Sequence, residues 1–264
     1  MEIIAKSREN DNCELYTLCS GSTGNSVFVK LGSSAFLIDA GISARGICQS
    51  LTSIGHSMDE IKSIFITHEH SDHIKGVEQL TKKFGTPIHC ISACAPYIKC
   101  SGGCMFMHPT HHRLSNGDVE IRSFATPHDS MGSVGYVIIS EELKIGIATD
   151  LGEMTDEILS ALSSCDHVIL ESNHDVSMLE NGPYPLWLRQ RVLSRYGHLS
   201  NDDCAKTAVT LAKNGVKSIT LAHLSAENNT PPLAFATTRR SLDIAGFDGF
   251  CLKVASAHEC TKIF

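Results

Sequence analysis

The sequence predicts an α/β fold whose chemistry-bearing residues sit at the C-terminal ends of strands. Three observations carry that prediction. Short apolar runs end in His or Asp and lead into helical spacing, as where 61–66 precedes the histidines and Ile74, Val77, Leu80 and Phe84 follow. The string Thr67-His68-Glu69-His70-Ser71-Asp72-His73 packs three imidazoles and two carboxylates into one strand-to-helix loop, where α/β proteins hold ligands. The length of 264 residues is enough to bury about three quarters of the unfolded chain's surface, so one two-layered domain over 1–264 is expected.

Taken in order, 13–19 reads as a strand. The following Ser20-Gly21-Ser22-Thr23-Gly24-Asn25-Ser26 is a tight turn that either cradles an anion or closes a hairpin. Strands 27–31 and 35–38 follow, the second ending in Asp39-Ala40-Gly41, and Ile47, Leu51 and Ile54 mark a helix. Asp39 either orients the histidine loop or caps the next turn. A helix then runs to Lys83, and 87–91 is a strand. The stretch 90–112 has no clear period. Its Cys90, Cys94, Cys100 and Cys104, beside His89, His108, His111 and His112, admit a zinc knuckle; without a Cys-x-x-Cys pair, they equally read as small core residues.

Strand 119–124 ends in Thr126-Pro127-His128, where Pro127 keeps the chain extended and leaves His128 on a loop. A hairpin of 135–139 and 144–148 ends in Asp150. A charge closing a buried strand is costly unless paired, so a nearby cation accounts for it. Strand 167–170 leads into Glu171-Ser172-Asn173-His174-Asp175, and strand 217–222 into His223 and the loop to Asn229. Helices are expected at 186–195 and 202–213, the latter introduced by Gly197-His198-Leu199-Ser200-Asn201 with Ser200 and Asp203 as a capping pair. The last helix begins after Thr230, with Pro231 in its first turn.

A formal charge of −7 argues against a broad basic coat for nucleic acid, while a local cleft carrying bound cations stays compatible. Residues 1–12 hold Glu2, Lys6, Arg8, Glu9 and Asp11 in place of an apolar core, so no signal peptide is expected. No apolar stretch approaches the roughly 18 residues of a membrane span. Eleven cysteines, an odd number in a chain without an export signal, suit free thiols in a reducing, cytoplasmic compartment.

His-x-His-x-Asp-His concentrates neutral nitrogens and an anionic oxygen, the donors of borderline metals. Together with His128, Asp150 and His223, that string resembles the metallo-β-lactamase fold superfamily, from Ser20 almost to the C-terminus. More narrowly, the Ser20–Ser26 turn, Glu171-Ser-Asn-His-Asp, Gly182-Pro-Tyr-Pro, Gly197-His-Leu-Ser-Asn and His223-Leu-Ser-Ala-Glu-Asn-Asn resemble the WalJ/YycJ branch. The resemblance implies an αββα four-layer sandwich. It also implies a DNA exonuclease, with DNA as substrate and repair proteins as possible partners. The β-CASP insertion of RNA-cleaving relatives has no room between Asp150 and His223.

The same resemblance implies a ligand set: His68, His70 and His128 on one divalent ion, Asp72, His73 and His223 on a second, and Asp150 bridging both. Mixed nitrogen and oxygen donors suit zinc, manganese or iron. A hydroxide between the two ions would attack phosphorus, with Asp72 orienting it without acting as a free base. His198, beside a helix N-terminus, would protonate the leaving oxygen or donate to phosphate, or else merely cap or pack. Asn25, His174, Ser200 and Asn228 are candidate substrate-binding residues. A thioester or other small-molecule hydrolase using the same metal pair is the alternative activity. A protein that binds metal only to dock partners is disfavoured by the complete ligand set.

Overall fold

Residues of one parity along a strand face one side of a sheet, so the burial pattern shows how layers stack. The computed structural model describes residues 13–117 and 119–264, so the expectation of no signal peptide in 1–12 falls outside the described residues. The first half gives β1 (Cys13–Cys19), β2 (Ser26–Leu31), β3 (Ser34–Ile38), β4 (Ser63–Phe65), β5 (Ile88–Ile91) and β6 (Met105–His108). Its helices are α1 (Ala44–Ser53), α2 (Ser71–Ile74) and α3 (Val77–Phe84). The second half gives β7 (Arg113–Asn116), β8 (Val119–Ala125), β9 (Val134–Ile139), β10 (Lys144–Ala148), β11 (His167–Glu171), β12 (Ser218–Ala222) and β13 (Cys251–Val254). Around them lie α4 (Asp156–Ser163), α5 (Val176–Asn181), α6 (Leu186–Val192), α7 (Asn201–Lys213) and α8 (Pro231–Ile244), and β14 (Thr261–Lys262) returns to the first sheet.

The described strands form two seven-stranded mixed sheets, in the orders β14-β1-β2-β3-β4-β5-β6 and β13-β12-β11-β10-β9-β8-β7. Each is antiparallel in one half and parallel in the other: β3 to β6 run parallel, as do β10 to β13. Parallel strands place their C-terminal ends, and the loops that leave them, along one edge. Asp39, His68, Asp150, Glu171 and His223 all arise at such ends.

Packing follows the period of two. In β9, Val134, Tyr136 and Ile138 join a cluster with Phe28, Phe36 and Phe65 of the first sheet, whereas Val137 joins a second cluster with Leu162 of α4 and Leu211 of α7. Ile169 and its neighbour Leu170 divide the same way. The first cluster also takes in Ile47 and Leu51 of α1 and Leu80 of α3, so helices cover both outer faces of an α/β sandwich. Each such side chain contributes about 1.5–3 kcal/mol when fully buried. The buried Tyr136 hydroxyl donates to Ile66 O at 2.8 Å, which bonds the two sheets next to the histidine loop.

Three expected elements differ in detail. The helix after the histidines breaks into α2 and α3 at Gly76, whose N–H donates to Ala40 O at 2.8 Å. A Cβ there would lie 2.6 Å from Ile42 O, so the chain bends to admit the Asp39 loop. α6 stops at Val192 because the following residues turn sharply, with Gly197 N–H donating to Ser194 O at 2.8 Å. The stretch 90–112 supplies β6 instead of a knuckle: all eleven cysteines are free, and none joins a metal-competent group among the described residues. No described helix is long and apolar enough to cross a membrane.

Candidate metal centre

Three residues other than glycine have positive φ among those described: Asp39 at 61°, Asp150 at 57° and His223 at 56°. Asp39 and His223 directly follow parallel strands, and Asp150 lies one residue further beyond the end of another. The left-handed conformation costs on the order of 1 kcal/mol for such residues and persists where surrounding structure enforces it. Here it turns each side chain abruptly off its strand into a common volume between the sheets. Nearby, the Ser20–Ser26 turn closes the hairpin and braces the site: Asn25 N–H donates to Asp72 O at 2.8 Å, and Asn25 O accepts from Gly41 N–H at 2.8 Å.

In that volume the donors converge. His68, His70 and His128 form one group whose ligand atoms lie within 4.8 Å of one another, and Asp72, His73 and His223 form another. Asp150 belongs to further groups with His68 and His73 on one side and with Glu171, His198 and His223 on the other. Its Oδ2 lies 3.2 Å from His73 Nε2, and its Oδ1 lies 3.6 Å from His128 Nε2 and 3.5 Å from His223 Nδ1.

Close approach without hydrogen bonding is the decisive feature. His68 Nε2, His223 Nε2 and Asp150 Oδ2 are buried and have no hydrogen-bond partner. A buried polar atom left so costs about 1–3 kcal/mol, and three in one place point at a shared target. Nitrogen and carboxylate donors together fit divalent cations.

The other side of three of these rings is held by the protein. His73 Nδ1 donates to Asp39 Oδ2 at 2.8 Å, and Asp39 also accepts from Thr67 N–H and Thr67 Oγ1, both at 2.8 Å. His128 Nδ1 donates to Gly197 O at 3.1 Å. His223 Nδ1 donates to Glu171 Oε1 at 2.7 Å, and His198 Nδ1 donates to the same oxygen at 2.8 Å. Glu171 Oε2 accepts from Leu151 N–H at 3.0 Å and Leu199 N–H at 3.1 Å. Fixing Nδ1 sets the tautomer and aims Nε2 at the centre. Glu171 is the site residue that sequence reasoning does not single out. Its signal is that of Asp39 and Asp150, a charge closing an apolar strand, but it falls within β11 instead of on the loop.

Electrostatics agree. Burial opposes charge on His73, yet Asp150 and Asp39 outweigh it and hold the imidazole well above its usual pKa. His223 is likewise raised to about 10, burial being overcome by Asp150, Asp72 and Glu171. Glu171 falls to about 2 because His198 and His223 offset its burial.

The candidate substrate residues divide by environment. Asn25 spends its side chain on Gly21, with Nδ2 donating to Gly21 O at 3.0 Å and to Asp72 Oδ2 at 3.3 Å. Ser200 is the N-cap of α7: its Oγ accepts from Asp203 N–H at 3.1 Å. His174 is buried with both ring nitrogens unpartnered, and burial pushes its pKa down to about 4. Asn228, whose Oδ1 is also unpartnered, lines a cavity of about 150 Å³ with Arg191 and His198.

The sequence profile of the β-lactamase superfamily domain matches residues 35–223. Exodeoxyribonuclease WalJ of Streptococcus pneumoniae is 34% identical over 227 residues, covering 83% of this chain and 84% of that protein. Exodeoxyribonuclease YycJ of Bacillus anthracis is 32% identical over 238 residues, covering 87% and 89%. Among solved structures, the metallo-β-lactamase fold protein YhfI of Bacillus subtilis superposes with a TM-score of 0.75 at 15% identity, covering 96% of this chain and all of that one. Together with the two mixed sheets and the convergent histidines, these likenesses establish that the chain belongs to the β-lactamase superfamily, as a metal-dependent hydrolase of the metallo-β-lactamase fold similar to WalJ and YycJ.

Proposed function

We propose that the chain is a dinuclear phosphodiesterase that degrades DNA from an end. The observation that carries the metal part is the set of buried, unpartnered atoms His68 Nε2, His223 Nε2 and Asp150 Oδ2 facing one volume. His68, His70 and His128 would hold one divalent ion and Asp72, His73 and His223 a second, with Asp150 between them; zinc, manganese and iron all suit these donors. Two such ions would lower the pKa of a water and offset the charge that builds on a phosphodiester. The DNA part is supported by the likeness to two exodeoxyribonucleases over most of the chain.

The protein's own part in the reaction is orientation and proton delivery. Asp39 and Glu171 fix His73 and His223, so the donor array needs no rearrangement when substrate arrives. Asn25 Nδ2 restrains Asp72, which as a ligand cannot also act as a free base. His198 is tied to Glu171 through Nδ1 and borders the cavity, so its Nε2 is the atom free to protonate a leaving oxygen. Location in the cytoplasm and contact with repair proteins are consistent extensions of this reading.

The test is to incubate the metal-loaded protein with end-labelled duplex DNA, a phosphodiester dye ester and a thioester. Progressive shortening of the DNA with release of mononucleotides is expected. Thioester turnover with both phosphodiesters inert would instead assign a thioester hydrolase.

A further inference from the structure

The proposed metal centre leaves several polar groups of the site unused, and they face one space. A cavity of about 150 Å³ beside His198 lies between the Ser20–Ser26 turn, the loop after His223 and the α6 region, which line it through Ser22, Ser225, Asn228, Tyr184 and Arg191. Asn228 is 1% exposed, and neither polar atom of its side-chain amide has a hydrogen-bond partner among the described residues. Its Oδ1 lies against Gly182, where an added Cβ would meet it at 2.7 Å, so the amino group is the one left for the cavity. Ser225 Oγ accepts from Asn228 N–H at 3.2 Å, which leaves its own hydrogen free to donate. Tyr184 Oη and Ser22 Oγ have no hydrogen-bond partner among the described residues. A buried polar group without a partner is unfavourable, and hydroxyl and amide hydrogens around one space suit a ligand rich in acceptors, as a phosphate is. Arg191 and Asp129 pair with each other at the wall, so the lining holds no unbalanced carboxylate to repel an anion.

Position says which part of a substrate this is. His198 lines the same cavity, and its Nε2 is the atom placed to protonate the leaving oxygen. Whatever carries that oxygen therefore lies against these side chains. The far wall does not yield: a Cβ on Gly197 would lie 2.2 Å from Val192 O, and one on Gly152 would lie 2.4 Å from the Arg195 carbonyl carbon, so backbone packs on backbone there. The volume is well below the roughly 300 Å³ at which sites for drug-sized molecules begin. It takes the sugar and phosphate of one nucleotide and not a continuing strand.

We infer that this cavity seats the single terminal nucleotide that leaves, its phosphate accepting from Asn228 Nδ2 and Tyr184 Oη. This rests on the nuclease reading and deepens it, since a seat for one nucleotide on the leaving side makes a strand end a requirement. Water divides across the broken bond. Its hydroxyl goes to phosphorus, and its proton, by way of His198 Nε2, goes to the oxygen of the departing nucleotide.

The test is calorimetric titration of the full-length, metal-loaded protein with thymidine 5′-monophosphate, thymidine 3′-monophosphate and thymidine. One monophosphate should bind at a single site about tenfold more tightly than thymidine, and Asn228→Ala and Tyr184→Phe should each weaken it about tenfold, as for a lost hydrogen bond to a charged group. Both variants should keep wild-type metal content and thermal midpoint, because neither side chain is bonded within the fold. Trp187→Ala, on α6 but outside the cavity, should leave binding unchanged. Monophosphate affinity unmoved in both cavity variants would overturn the inference, leaving the phosphate to the metal ions alone. An equal loss in Trp187→Ala would overturn it too, because the seating of α6 and not the cavity contacts would then govern binding. Either result, with DNA still degraded to mononucleotides, sinks this inference alone. DNA and the dye ester both inert would sink the nuclease reading itself.

Discussion

His198 and His223 are tied to each other through one oxygen: each Nδ1 donates to Glu171 Oε1, at 2.8 and 2.7 Å. Glu171 thereby fixes a proposed metal ligand and the proposed proton donor with one buried charge. A glutamine has a single acceptor oxygen: kept on the two rings it turns its NH2 onto the Leu151 and Leu199 N–H groups that Oε2 accepts from, and flipped it turns that NH2 onto the rings. Glu171→Gln should therefore lower metal affinity about 10–100-fold, the usual cost of losing an orienting partner, and lower kcat as well. Competition with a chelator of known affinity measures the first. Retention of wild-type affinity would show that Glu171 braces the fold and not the centre.

Asp39 separates charge from backbone strain. At φ 61°, asparagine is tolerated better than alanine. Asp39→Asn should keep the thermal midpoint near wild type while weakening metal binding about tenfold or more, since His73 loses its carboxylate partner. Asp39→Ala should lose metal too and also unfold earlier, by about 2–4 kcal/mol from strain and the unpartnered Thr67 N–H. Equal midpoints for the two variants would refute the strain argument.

Away from the centre, His89 stacks between Phe65 and Phe106, with ring centroids 4.8 and 5.2 Å away, and its Nδ1 lies 3.0 Å from His108 Nε2. Burial, then His108 and His112, push its pKa down to about 4. The folded chain thus resists a proton that the unfolded chain accepts near 6.5. Stability from this site is complete above about pH 6.5 and is lost as pH falls toward 4. His89→Phe keeps the stack and removes the titration. Its melting temperature, compared with wild type at pH 7 and pH 5, should fall less on acidification; parallel falls would show that other groups govern acid sensitivity.

Much of the site is legible in the order of residues along the chain. His68, Asp150 and His223 follow apolar runs, and a strand's direction alone decides where the next loop emerges. Which strand ends share an edge is not legible there, because that depends on the order of strands across the two sheets. Glu171 stands in the sequence just past the 167–170 run, like other strand-end charges; that it accepts from both His198 and His223 is not legible there, because those rings reach it only once the sheet is ordered. β6 and β7 escape a pattern search because both are four residues long and 105–108 and 113–115 face water in part, so they lack the apolar pattern that marks interior strands.

Gly41 shows how tightly the first-half loops are fitted. Its N–H donates to Asn25 O at 2.8 Å, and a Cβ built on it would lie 1.6 Å from Asp72 O and 2.5 Å from Asn25 N. These contacts are backbone, so no side chain can swing away. Gly41→Ala must push the Asp72 loop off the turn, which displaces Asp72 and His73 together. The expected cost is about 3 kcal/mol, at the upper end for overpacking, with loss of the metal that those two residues would hold. Gly102 supplies the contrast: a Cβ there meets nothing within 4 Å, so Gly102→Ala should change stability by no more than about 0.5 kcal/mol. Denaturant unfolding of both variants, with metal content measured on the same samples, separates the outcomes. If Gly41→Ala retains wild-type stability and metal, the turn and the Asp72 loop are not the close-packed unit that the structure describes.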